Sequence, residues 1–511
     1  MGRKILLVTT DQQRYDALGC NGGRFARTPV VDALARQGIN YSRAHNQNVV
    51  CMPARSTILT GQHVRSHGVI SNGIPLPLDG PDMARQLREA GGYRTALIGK
   101  AHFEPSSAPQ GNYFENFAAS RSLHGPHRGF EHLSLCAHTG RAGRSVYHYP
   151  KWLAEHHPQH VNDYQEYISP QKTISNKRGG DTGGIQFHHN PIPRELYHTE
   201  WVADSVIDWL NGLDAQEDWF VWMSFPDPHH PWDPPLSEVS RLDWRDLPLP
   251  DGYPGSHEKT VEILSRKPRH WLDWYLGNAQ FNYELPTQFK PCEMTHDQIR
   301  EVNALVHVEN ELIDEALGRV LTHIDARGWG QDLDVLYTTD HGEFQGDFGL
   351  LFKGPYHVDA LMRVPLIWRP APSAGIGPAL VAQPVGHVDI ARTVCAVAGV
   401  PADPRMQGEI LPVSPVNSRE RVITEWDGGY DGHDLHLRTI CRDGFVCTVC
   451  EPGSVHEGTE GELYDLANDP LQFVNLWDDP GKASLKADLI ADLYDHLPPR
   501  RTPGLEQVAL V

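Results

Sequence analysis

Residues 51–61 read Cys51-Met52-Pro53-Ala54-Arg55-Ser56-Thr57-Ile58-Leu59-Thr60-Gly61. A proline two positions after a cysteine disfavours helix before it and suits the first turn of a helix after it. The spacing therefore predicts Cys51 at a helix N-terminus, where backbone N–H groups and the helix dipole favour an anion. Arg55 follows one turn later, on the same helical face as Cys51. A nucleophile, a cation and an anion-binding helix end within five residues suit attack on an anionic ester.

Other residues with chemistry stand where strands are expected to end. Asp11-Gln12 follows the apolar run Ile5-Leu6-Leu7-Val8, and Asp340-His341 follows Leu333 to Tyr337. In open α/β sheets ligands gather at the carboxyl ends of strands. Two acidic groups, a carboxamide and an imidazole arriving there would make a divalent metal site. Gly99-Lys100-Ala101-His102 ends a third strand. Lys100 and His102 flank one residue, so both reach a pocket only from a turn and not from a regular strand. Ser224-Phe225-Pro226-Asp227-Pro228-His229-His230-Pro231 follows a fourth, and Lys353 lies in Gly349-Leu350-Leu351-Phe352-Lys353-Gly354.

The elements that must position these residues alternate. Residues 4–10, 94–99, 219–223 and 333–337 read as strands. Helices are expected from Pro29 to Ala35, Met83 to Ala90 and Val202 to Leu210, and from Thr295, where Gln298 completes a capping box, to Gly328. The fold class is α/β: a mainly parallel central sheet flanked by helices. After about residue 405 the texture changes to short strands at 421–425, 437–441, 445–449 and 463–465, then a helix at about 484–496. We expect a catalytic α/β domain over 1–405 and a smaller C-terminal antiparallel-sheet-plus-helix subdomain over 406–511. Residues 105–195 and 231–292 are rich in Pro, Gly, His, Trp and Tyr without periodicity, and are expected to be irregular insertions that shape the pocket.

The run from Cys51 to Gly61 resembles the signature of the type I, formylglycine-dependent sulfatases of the alkaline-phosphatase-like superfamily. The resemblance covers nearly the whole chain, because the motifs occur in the family's order from residue 4 to residue 476. It implies that Cys51 is oxidised to formylglycine by a separate formylglycine-generating or sulfatase-maturing enzyme. A thiolate bonded to sulfur or phosphorus has no easy route of release. An aldehyde hydrate has one: one hydroxyl attacks, the other later loses a proton, and the C–O bond breaks. The resemblance further implies Asp11, Gln12, Asp340 and His341 as metal ligands, Arg55 and Lys100 as countercharges, His102 as the proton acceptor that releases sulfate, and His229 and Lys353 as residues at the leaving group. Many sulfatases carry paired aspartates and Asp-Asn at the metal positions, which suits calcium. Gln12 and His341 are similar instead to the phosphonate monoester hydrolase branch and shift the expected metal toward manganese or zinc. Lys100 and His102, which that branch lacks as a group, point back to sulfatases. The expected function is a sulfuric ester hydrolase, arylsulfatase-like, acting on a small anionic ester. The alternatives are a phosphonate monoester or phosphodiester hydrolase on the same scaffold, and a non-catalytic metal- or anion-binding protein if Cys51 is not converted.

The chain has 511 residues, enough for a large core, and a formal charge of −20. That charge argues against a nucleic-acid or anionic-membrane partner and demands local positive charge for an anionic substrate. The eight cysteines are scattered. Cys447-x-x-Cys450 has no second pair at zinc-ribbon spacing, and flanking valines suggest a strand, so all read as reduced structural thiols apart from Cys51. With no secretory signal pattern before the first strand and no membrane-spanning run, the expected location is cytoplasmic. The apolar end Val508-Ala509-Leu510-Val511 allows docking on a second copy of the chain, as in a homo-oligomer, or a free tail.

Overall fold

Ile5, Leu6, Leu7 and Val8 are fully buried and alternate between two cores, Leu6 and Val8 on one side of the sheet and Ile5 and Leu7 on the other. A continuous apolar run is what a strand covered on both faces requires. The computed structural model describes residues 2–106, 113–137, 147–161, 163, 177–282, 285–415 and 419–509. Its main sheet contains β1 (Lys4–Thr10), β2 (Ile39–Tyr41), β3 (Arg94–Gly99), β4 (His132–Leu135), β5 (Trp219–Ser224), β6 (Leu333–Thr339), β7 (Leu366–Arg369) and β8 (Ala379–Val381). The spatial order is β8-β2-β7-β6-β1-β5-β3-β4, with β7 antiparallel to both neighbours and the other pairings parallel.

Helices cover both faces. On one side lie α1 (Pro29–Gln37) and two helices defined below; on the other are α2 (Cys51–Thr60) and α3 (Met83–Gly91). The first side is completed by α4 (His198–Asn211) and α5 (His296–Ala326), the second by α6 (Ile390–Ala398). The capping box at the start of α5 is formed: the Gln298 N–H donates to Thr295 Oγ1 at 3.2 Å, and the Thr295 N–H donates to Gln298 Oε1 at 3.0 Å.

The second sheet is antiparallel, with β9 (Arg421–Tyr430), β10 (His433–Arg442), β11 (Phe445–Glu451) and β12 (Gly461–Asp465) in that order, followed by α7 (Ala483–His496). β9 and β10 are twice the expected length, because they pair residue by residue out to Tyr430 and His433 through Gly428 and Gly429. Cys447 and Cys450 lie on β11 and enter different cores, as residues an odd number apart on a strand must. Among the described residues no cysteine forms a disulfide.

Segment 231–292 differs from the expectation. It contains helices His257–Leu264 and His270–Tyr275, too short to show a period. Trp232, Trp271 and Trp274 are fully buried in the core shared by the second sheet and the loops after β6. Of the other insertion, residues 107–112, 138–146, 162 and 164–176 lie outside the described residues, as do 283–284 of this one. The tail also packs on its own chain: the Arg501 N–H donates to the Arg65 carbonyl at 2.7 Å and the Val508 N–H to the Gly73 carbonyl at 2.9 Å. Leu510 and Val511 lie outside the described residues. No helix among the described residues is long and apolar enough to cross a membrane.

Candidate active site

Four adjacent parallel strands, β6, β1, β5 and β3, end at one edge of the main sheet. The residues just past them are Asp340-His341, Asp11-Gln12, the turn with His229, and Lys100 to His102. Gly99 makes the third turn. Its φ is +108°, and a Cβ there would stand 1.7 Å from the Ser224 carbonyl oxygen. Only glycine lets β3 close on β5 and then turn, and both Lys100 and His102 are buried beyond that turn.

Cys51 is the first residue of α2 and is fully buried. Its sulfur lies 3.2 Å from His341 Nε2, 3.5 Å from Lys353 Nζ, 3.6 Å from Lys100 Nζ and 3.7 Å from Asp11 Oδ1. Burial, then Asp11, pushes its thiol far above the ordinary range against the pull of the two lysines.

Arg55, one turn along α2, donates from Nε to Asp340 Oδ2 at 2.9 Å and from Nη1 to the Lys100 carbonyl at 2.9 Å and Ser224 Oγ at 2.8 Å. Its Nη2 is 3.7 Å from Asp11 Oδ2. The guanidinium therefore clamps both carboxylates and ties four strand ends together, those of β6, β1, β3 and β5. Burial would raise the Asp340 carboxyl, but the cations around it, Arg55 first and then Lys100 and Lys353, hold it well below the usual carboxylate range. Lys100 pairs with Asp11. Burial opposes its charge, yet Asp11 foremost raises it above the ordinary lysine value.

Asp11, Cys51, Asp340 and His341 each present a donor atom within 4.8 Å of the others. His341 Nδ1 faces the Gly342 carbonyl at 2.9 Å, so it carries the proton and leaves the Nε2 lone pair facing the cluster. Burial lowers this imidazole below its ordinary value, which keeps it neutral as a ligand must be. Two carboxylates and a neutral imidazole converging on one point suit a divalent metal. Gln12 lies beside them at φ +65°, its N–H donating to Asp340 Oδ1 at 3.0 Å. Its Oε1 accepts from Lys353 Nζ at 2.8 Å.

Lys353 Nζ is also 2.9 Å from His229 Nε2, and His229 Nδ1 faces the His230 carbonyl. His102 sits at φ +59° with both ring nitrogens buried and without a hydrogen-bond partner. Burial, then Lys100 and Arg55, holds it well below the ordinary histidine value. Three further buried histidines meet threonine hydroxyls: His387 Nε2 and Thr338 Oγ1, His67 Nε2 and Thr57 Oγ1, and His357 Nδ1 and Thr439 Oγ1.

Sequence reasoning missed Glu343. Its carboxylate accepts from Gln12 Nε2, from the Gln345 N–H at 3.2 Å and from the Phe352 N–H. Burial pushes it up to about 7. The available signal was its place two residues after His341, in Asp340-His341-Gly342-Glu343. His230, next to His229, also reaches this group: its Nδ1 is 3.1 Å from Gln12 Nε2.

A model of the Sulfatase family matches residues 3–400, a span that holds Asp11, Gln12, Cys51, Arg55, Lys100, His102, His229, Asp340, His341 and Lys353. The chain belongs to the sulfatase family. It is 26% identical over 508 residues to the Uncharacterized sulfatase YidJ of Escherichia coli, covering 98% of this chain and 88% of that one. It is 25% identical to an Arylsulfatase of Clostridium perfringens, with 93% and 90% covered. The crystal structure of the Phosphonate Monoester Hydrolase of Agrobacterium radiobacter superposes on this family member with a TM-score of 0.77, at 22% identity, covering 96% of this chain and 95% of that one. At that identity the likeness is one of fold, and it agrees with the mainly parallel sheet and small antiparallel sheet seen here.

Proposed function

We propose that this chain, an ester hydrolase by its family, cleaves sulfate monoesters with formylglycine derived from Cys51 and one divalent metal. The observation that carries this reading is the position of residue 51, buried at the start of α2 with one imidazole, two lysines and one carboxylate within 3.7 Å of its sulfur. The sulfur marks where the oxygens of an aldehyde hydrate would stand. Asp11, Gln12, Asp340 and His341 would hold the metal, which when bound supplies the positive charge that polarises an ester oxygen and favours a deprotonated hydroxyl. The carboxamide and imidazole suit manganese or zinc better than calcium.

The chain's own residues supply the rest. Lys100 and Lys353 offset the charge of the anionic ester inside a protein whose net charge repels it. Arg55 keeps Asp11 and Asp340 aimed at the cluster. His102, neutral and unpartnered, accepts the proton whose loss frees the product. Lys353 and His229 assist the departing alcohol.

Mass spectrometry of the tryptic peptide containing residue 51 tests the first step. The aldehyde is expected; a fully unmodified cysteine in protein that turns over sulfate esters would refute it. Asp11→Asn and Asp340→Asn should lower metal occupancy and rate together, each by removing a charged ligand. Full occupancy in both variants, measured by elemental analysis, would show the ligands to be elsewhere.

Gln12 and His341 favour a second reading, a phosphonate monoester or phosphodiester hydrolase. Side-by-side rates on aryl sulfates and aryl phosphonate monoesters separate the two. Preference for the sulfate is expected, because Lys100 Nζ stands 3.6 Å from the Cys51 sulfur and Lys100 with His102 forms the element that resembles sulfatases.

A further inference from the structure

Glu343 touches none of the reacting groups, yet it meets two of the segments that present them. It is fully buried at the turn after His341. The backbone there is anchored: the Gly342 N–H donates to the Leu361 carbonyl at 3.0 Å and the Glu343 N–H to the Ala360 carbonyl at 3.1 Å. One carboxylate oxygen accepts from Gln12 Nε2; the other accepts from the Gln345 N–H and the Phe352 N–H. Gln12 and Phe352 stand at φ +65° and +70°, left-handed conformations that persist only where surrounding bonds hold them.

A primary amide is nearly symmetric in shape, and only its hydrogen-bond partners decide which end is oxygen. At Gln12, Glu343 Oε2 and His230 Nδ1 are both placed to accept from Nε2. The oxygen is thereby forced to the opposite side, where Lys353 Nζ meets it at 2.8 Å. Phe352, whose N–H the same carboxylate accepts, directly precedes Lys353. One buried carboxylate, its oxygens accepting from Gln12 Nε2 and two backbone N–H groups, thus sets the flip of the Gln12 amide and the exit of the loop that delivers Lys353.

We propose that Glu343 is a positioning residue that orients the Gln12 carboxamide oxygen for the metal. This rests on the reading of Gln12 as a ligand. A carboxylate is acceptor-only, whereas a glutamine at 343 would present an N–H2 to at least one of three donors. The flip of Gln12 would then no longer be determined. Residues that orient metal ligands typically contribute about 10–100-fold to metal affinity.

The test is a double-mutant cycle on the full chain loaded with Mn²⁺ and titrated with a competing chelator, which needs no substrate. Glu343→Gln should weaken metal binding by about 10–100-fold in the wild-type background. In a Gln12→Ala background it should weaken binding by less than about 2-fold, because there is no amide left to orient. The same loss in both backgrounds, or none in the first, overturns the proposal, since a purely structural role is indifferent to Gln12. Thermal unfolding of each variant without metal reports folding. Should Glu343→Gln unfold the chain, Glu343→Asp goes through the same cycle: it keeps the charge but withdraws it from Gln12 by one methylene, and the same dependence on Gln12 is expected. A wild-type chain that binds no metal overturns this inference together with the reading beneath it. Metal binding with additive losses overturns the inference alone.

Discussion

Cys51→Ala abolishes turnover while metal content and fold persist. The expected loss is on the order of 10⁶-fold, the scale on which removing a covalent nucleophile is felt. The fold should persist for three reasons. The substitution removes one buried atom from a position whose helix is held elsewhere, by the Met52 N–H on Asn72 Oδ1 at 2.9 Å and by Arg55 on Asp340. Alanine is the best helix former, so α2 keeps its first turn. The proposed metal ligands come from β1 and β6, which pair over their whole length without residue 51. Steady-state rates, elemental analysis and a thermal melt check the three claims separately. Turnover near wild type would end the formylglycine reading. Lost activity with lost metal would instead make residue 51 chiefly a ligand.

How far the site could be read from the chain depended on where its residues sit relative to strands. Asp11, Gln12, Asp340 and His341 are legible because each follows directly on an apolar strand, and the ends of parallel strands converge by topology. Cys51 and Arg55 are legible because Pro53 sets the start of α2. Glu343 was not: it lies on a turn, and its partners Gln12 and Phe352 are 331 and 9 residues away. Arg55 on Ser224 and the Lys100 carbonyl is likewise visible only once β5 and β3 are side by side. The helices in 231–292 escaped because eight and six residues complete too few turns to show a 3.6-residue period. Their tryptophans were expected at a pocket and instead fill a core, since a large aromatic in an aperiodic segment carries no direction. The length of the β9–β10 hairpin was hidden by Gly428 and Gly429, which weaken a strand pattern although cross-strand pairing runs straight through them.

The second large effect concerns the leaving group. His229 Nδ1 faces a carbonyl oxygen, which only accepts, so that nitrogen carries the proton. Nε2 is left with its lone pair toward Lys353 Nζ at 2.9 Å, and the ammonium donates to it. The proton for a departing alkoxide therefore resides on the Lys353–His229 pair and not on the imidazole alone. A poor leaving group needs that proton as the ester bond breaks; an electron-poor phenol hardly does. His229→Ala should slow poor leaving groups by roughly 10²–10⁴-fold and good ones little. Lys353→Ala should slow both, because it also removes a cation 3.5 Å from the Cys51 sulfur, where the anionic ester is attacked. The measurement is a series of aryl sulfates of graded phenol acidity, read as the slope of log rate against leaving-group pKa. The slope should steepen in both variants, with a further uniform drop for Lys353→Ala. An unchanged slope in His229→Ala would reduce that histidine to a prop for the lysine and leave Lys353 as the acid.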